Sequence, residues 1–89
     1  MKWYTDKCLA NLKSLVGHIL HEHGRQLGKW GIQSHSLFEW LAYTTEELGE
    51  LAKAISEHEY RDGKADDIFK EAIQLATLSL KIAEMINDN

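Results

Sequence analysis

The chain has no proline, a single cysteine and only six glycines, and each scarcity removes a class of structure. Without proline, no position lacks the backbone N–H that a helix interior needs, so long helices are unopposed. A lone Cys8 excludes an internal disulfide and fits a reducing compartment. There is no basic excess either. Ten Lys and Arg stand against fourteen Asp and Glu, for a net charge of −4. No basic stripe breaks that balance, which argues against a nucleic-acid polymer as partner. Long apolar runs are also missing. Lys7, Asn11, Lys13 and His18 interrupt the stretch from Met1 to Leu20, so it reads as neither a signal peptide nor a membrane span. The expected location is cytoplasmic, with no membrane partner.

What is present suits a small folded domain. Hydrophobic residues make up 44% of the chain, too many for a disordered segment. The 89 residues read as one domain, 1–89, without repeat, low-complexity tract or linker. A chain this short buries a modest share of its surface, and partner subunits often complete such cores.

Apolar periodicity predicts an all-α fold of three helices. Leu9, Leu12, Val16, Ile19 and Leu27, with His23 in the gap, recur at three- and four-residue intervals and predict a first helix over about Trp3–Leu27. Gly17 inside it suggests a close helix contact, and Gly24 or Gly28 offers an earlier end. Gly28 to His35 reads as a loop. Ser36 followed by Glu39 matches a capping box, so the second helix should begin at Ser36 and fade near Glu59. Its core stripe is Leu37, Leu41, Thr44, Leu48, Leu51 and Ile55. Arg61 to Lys64 reads as a turn, and the third helix runs from about Asp66 to Ile86. That helix carries two adjoining apolar stripes, one through Ile68, Ala72, Leu75, Ile82 and Ile86, the other through Phe69, Ile73, Ala76, Leu80 and Ala83. Such an arc is too wide for one intramolecular contact. It predicts a helical bundle completed by oligomerisation, with a monomeric three-helix bundle as the alternative.

The chemistry concentrates in Thr45-Glu46-Glu47-Leu48-Gly49-Glu50. At about 100° per residue, Glu47 and Glu50 project from one side of the second helix, while Glu46 points further toward solvent. On the third helix, Glu71 falls about 40° from Leu75, inside the apolar arc. A carboxylate there must be paired, protonated or metal-bound. Asp67 and Gln74 lie one turn before and after it. Two antiparallel helices with these faces opposed would gather Glu47, Glu50, Glu71 and Gln74. Oxygen donors without cysteine suit a hard cation, Mg²⁺ or Mn²⁺. The alternative is a solvated acidic face balanced by lysines such as Lys53. A further cluster, His18, His21, Glu22 and His23, tempts a transition-metal reading but lacks a fourth partner.

These residues resemble the MazG-like, all-α nucleotide pyrophosphohydrolases. That family carries Glu-Glu-x-x-Glu on one helix and Glu-x-x-Asp on the next. Here the first motif is Glu46-Glu47-Leu48-Gly49-Glu50, complete. The second aligns with Glu71-Ala72-Ile73-Gln74, where glutamine stands for the aspartate. The loop Lys29-Trp30-Gly31-Ile32-Gln33-Ser34-His35 adds to a likeness spanning roughly Lys29 to Ile82.

The resemblance implies Mg²⁺-dependent hydrolysis of a nucleoside triphosphate to monophosphate and pyrophosphate, in a homodimer or homotetramer. It implies Glu47, Glu50 and Glu71 as metal ligands, with Gln74 at the fourth ligand position. Glu46 and Glu47 would be the catalytic carboxylates, Glu46 orienting a water or a second metal. Apart from the resemblance, Lys53 and Lys81 could steady phosphates, with solvated surface lysines as the favoured alternative for each, and Trp30, Gln33, His35 and Trp40 could form a base pocket, although Trp40 lies beside the core stripe and fits packing better. Two other readings stay open at this point. One is a nucleotide- and metal-binding relative without turnover, and the other is a structural oligomerisation module.

Overall fold

Helical segments fill most of the chain in a computed structural model, which describes the backbone of residues 2–31 and 34–87 and the side chains of 11–29, 31 and 34–87. The helices are α1 (Lys2–Trp30), α2 (Leu37–Tyr60) and α3 (Ala65–Asn87). Among the described residues there is no strand. No helix there is long and apolar enough to cross a membrane.

The ends of the helices follow local chemistry. α1 runs through Gly24 and Gly28 and stops at Gly31, so Gly28, Lys29 and Trp30 are helical rather than part of a loop. Gly31 has φ of 72° and donates its N–H to Leu27 O at 2.8 Å, a left-handed stop that glycine adopts without strain. α2 begins as the sequence predicts. Ser36 Oγ accepts from Glu39 N at 3.1 Å, and Ser36 N donates to Glu39 Oε1 at 3.0 Å. That backbone N–H, more than any other group, holds the Glu39 carboxyl below the ordinary carboxylate value. Ser36→Ala should destabilise the protein by about 1 kcal/mol, because it strands an amide of the first turn. Urea melts of the variant would check this, with Ser36→Asp as the capped control.

A short turn reverses the chain between α2 and α3. Arg61 and Gly63 both donate backbone N–H to Glu57 O, at 2.8 and 2.9 Å. A Cβ at Gly63 would lie 2.9 Å from the Glu57 carbonyl carbon, so the turn closes only with glycine there. His58 Nδ1 sits 2.8 Å from Gly63 O and tightens it further. The helices that follow run antiparallel, with Glu47 meeting Gln74 and Trp40 meeting Lys81.

α3 is the central element. It packs along α2 and over a shorter stretch against α1, whereas among the described residues α1 and α2 do not pack directly on each other. Trp40 of α2, which meets Lys81 of α3, and Thr77 of α3 are 6% and 1% exposed, and Trp40 is the only buried hydrophobic among the described residues. The predicted stripe of α2 is therefore not a core within one chain: Leu37, Leu41, Leu48 and Ile55 are exposed, and only Thr44 and Leu51 are half-buried. On α1, Leu12, Val16 and Leu27 are likewise exposed, while the polar Glu22 and Gln26 are buried. Gly17 supports no close contact, since nothing lies within 4 Å of its missing Cβ.

The arrangement is open. Its radius of gyration is 14.9 Å, against about 12 Å for a compact chain of this length. Its accessible surface is 7024 Å², against roughly 5,300 Å² for a folded monomer of this mass.

Candidate metal and nucleotide site

The acidic motif of α2 faces the middle of α3. Glu47 and Glu71 are half-buried and close enough to hydrogen-bond each other. Gln74, one turn beyond Glu71, turns its amide nitrogen to both, donating to Glu71 Oε2 and Glu47 Oε1 at 3.1 Å each. With the amide reversed, the same nitrogen stands 3.5 Å from Glu22 Oε1 of α1. Three helices thus bring carboxylates to one amide.

Crowding of acids has an electrostatic consequence. Burial, the hydrogen bond with Glu71 and the charges of Glu71, Glu50 and Glu22 push the Glu47 carboxyl up to about 8. At neutral pH Glu47 holds a proton when no cation is near. The unfolded chain releases that proton at 4.5, so between pH 4.5 and 8 the native state binds more protons than the unfolded one. Glu47 therefore contributes stability that is present below 4.5 and is lost as pH rises through 8. Melts of metal-free protein should show a falling melting temperature from pH 6 to 8.5, and Glu47→Gln should flatten that slope. A slope unchanged in the variant would assign the effect elsewhere.

Glu50 is exposed, lines the same cavity as Glu47 and acts on it through its charge. Glu46 is exposed at the mouth, as its position on the helix predicts. Asp67 is exposed near the start of α3 and does not line this cavity. Among the described residues, no three His, Cys, Asp or Glu side chains form a metal-binding group. Two acids and one neutral amide converge here because position 74 carries glutamine. The histidines of α1 also fail to assemble into a ligand set. His18 and His21 line a separate cleft, and His23 lines neither cavity.

The cavity has a volume of about 500 Å³ and a distinct lining at each end. Glu46, Glu47, Glu50 and Gln74 form the acidic end. His35, Trp40 and Tyr43 form an aromatic wall, with His35 edge-on to Trp40 at 5.0 Å and to Tyr43 at 5.2 Å. Lys81 stands 5.3 Å from the centre of the Trp40 ring and donates to Gln26 Oε1. Burial, the largest influence, sets the Lys81 ammonium below the ordinary lysine value, against the charges of Glu22 and Glu84.

Of the residues expected to meet substrate, His35 and Lys81 line the cavity, while Lys53 is exposed and outside its lining. Trp30 is helical, at the end of α1. Gln33 and the Trp30 side chain lie outside the described residues. No protein-family model, curated protein or solved structure matches this chain.

Sequence periodicity did not single out Gln26, Arg25 or Tyr43. Glu22 accepts from Arg25 Nη2 at 2.7 Å and from Arg25 Nε at 2.8 Å, and the Arg25 hydrogen bond, foremost, holds its carboxyl below the ordinary value despite burial. The available signal was the spacing Ile19, Glu22, Gln26, a helical stripe with polar residues where a core would put apolar ones.

Proposed function

We propose that this protein is a Mg²⁺-dependent nucleoside triphosphate pyrophosphohydrolase of the MazG-like kind, working as a homo-oligomer. The observation that carries the reading is the meeting of Glu47, Glu71 and Gln74 from two helices, where Glu47 and Gln74, though not Glu71, line a cavity with an aromatic wall. Glu47, Glu71 and Gln74 offer only oxygen ligands once the amide turns its carbonyl inward, and Glu50 adds a fourth. That donor chemistry suits a hard divalent ion. Crowding that raises the proton affinity of Glu47 also favours a cation in place of its proton.

Magnesium, when bound, would neutralise phosphate charge and acidify a water. The chain's own residues do the rest. Tyr43 and His35 present aromatic surface to a base, with Trp40 packed behind them. Lys81 is held toward the cavity by Gln26 and Trp40, where it meets a phosphate oxygen. Glu46 stands at the exposed edge, placed to orient a water. Positioning and fixed charge account for most phosphoryl-transfer catalysis, so this division of labour is sufficient in kind.

The test is a pyrophosphate-release assay across the common ribo- and deoxynucleoside triphosphates, with and without Mg²⁺. Metal-dependent release from at least one of them is expected. Nucleotide binding without release would favour a non-hydrolysing relative, and absence of both would leave an oligomerisation module.

Exposed surface supports the oligomer. The excess of accessible area over a compact monomer is roughly 1,700 Å², and a standard interface needs about 800 Å² from each partner. Leu12, Val16, Leu41, Leu48 and Phe69 supply apolar area for it. Size exclusion with light scattering should give a dimer or tetramer mass at micromolar concentration. A monomer mass would overturn the assignment.

A further inference from the structure

A second cavity of about 590 Å³ lies in the cleft between α1 and α3 and adjoins the acidic one, sharing Arg25 and Gln74 with it. Its charge is opposite. His18, His21 and Lys29 line it from α1, and Lys70 lines it from α3. Glu22 is the one carboxylate in that lining, and Arg25 neutralises it at 2.7 Å. His18 packs edge-on against Phe69 at 4.9 Å, which fixes one wall of the cleft. Lys29 and Lys70 thus leave this lining with an excess of positive charge, in a chain of net charge −4.

We infer that this basic cleft binds a polyphosphate anion, namely the pyrophosphoryl tail of the nucleotide whose remainder occupies the acidic cavity. The inference rests on the proposed nucleotide site and adds a location for the tail to it. Lysine ammonium groups are compact point charges that suit phosphate oxygens, and the cleft takes one from each of its two helices, Lys29 and Lys70. Continuity through Arg25 and Gln74 is the reason to assign a tail rather than an unrelated anion. The same continuity separates the poles a metal–nucleotide complex needs, carboxylates for the cation and ammonium groups for the phosphates.

The experiment is calorimetric titration of the full chain with sodium pyrophosphate in the absence of divalent metal. Lys29→Ala/Lys70→Ala should weaken binding about tenfold or more, since the lining loses both its lysine charges. Lys64→Ala, an exposed lysine in the turn before α3, should leave it unchanged. Lys70→Glu alone provides a second variant, and circular dichroism checks that each is folded. In wild-type protein a non-hydrolysable triphosphate should compete with pyrophosphate. Equal pyrophosphate binding by the double variant and wild type would overturn the inference, as would pyrophosphate that binds without displacing the nucleotide. The two readings fail separately. Lysine-dependent, nucleotide-competitive binding in a protein that hydrolyses nothing sinks the hydrolase and supports the cleft. Hydrolysis with an unchanged KM in the double variant sinks the cleft and leaves the hydrolase.

Discussion

Glu71→Gln should lower Mg²⁺-dependent pyrophosphate release by more than about a hundredfold, because loss of even an outer-shell partner typically costs 10–100-fold and Glu71 is assigned as a direct ligand. The same change should leave metal-free protein equally or more stable. Glu71 accepts the Gln74 amide and shares a hydrogen bond with Glu47, and a glutamine of the same length can keep both contacts. What disappears is one of two crowded acids. Glu47 then loses the neighbour that, after burial, does most to raise its proton affinity, and it ionises more readily at neutral pH. Breaking a buried pair of opposite charge by deleting one partner is usually costly, but here both partners are acids, so removing one of them relieves crowding. Two measurements separate the effects: calorimetric Mg²⁺ titration for the site and thermal melts at pH 8 for the fold. Unchanged metal affinity in Glu71→Gln would refute a site shared between α2 and α3. A large drop in melting temperature would instead assign Glu71 a structural role.

The α2–α3 hairpin was legible because its signals are local. Ser36 and Glu39 cap a helix through bonds within one turn, and Gly63 closes a turn against Glu57. The meeting of Glu47 with Glu71 and Gln74 followed from helix periodicity plus one reversal of the chain. α1 was less legible. Its apolar spacing selected Leu12, Val16 and Leu27, yet Glu22 and Gln26 are the residues turned inward. Periodicity ranks faces by hydrophobicity alone, and α1 meets α3 where α3 carries Gln74 and Lys81, which need polar partners. The predicted α2 stripe failed within one chain for a related reason. Leu41 and Leu48 are apolar by design of the pattern, but a sequence pattern does not say whether the covering surface belongs to the same chain. The end of α1 was misplaced because Gly28 is compatible with a helix and Gly31 adopts the left-handed conformation that stops it.

The strongest test of the metal geometry is Gln74→Asp. In the present arrangement the Gln74 amide gives hydrogen-bond donors to two carboxylates, each at 3.1 Å, and a third, Glu22, faces its other side at 3.5 Å. Aspartate supplies no donor when ionised and adds a charge to that group. Without metal the variant should therefore melt well below wild type, since a further acid must be either charged among like charges or protonated at a cost. Magnesium should reverse this. A charged oxygen beside a divalent ion is favourable by at least about 1 kcal/mol even with heavy screening, so affinity should rise about fivefold or more. Saturating Mg²⁺ should then raise the melting temperature of Gln74→Asp by more than it raises that of wild type, as mass action requires for a ligand that binds the native state more tightly. Turnover need not follow, because tighter ground-state binding does not by itself lower the barrier. Gln74→Leu is the control, removing the donor without adding charge, and its melting temperature should respond less to Mg²⁺ than that of wild type. If Gln74→Asp is destabilised and magnesium fails to restore it, Gln74 is a packing residue. The pair Glu47 and Glu71 would then have to bind the ion without the arm that now joins them.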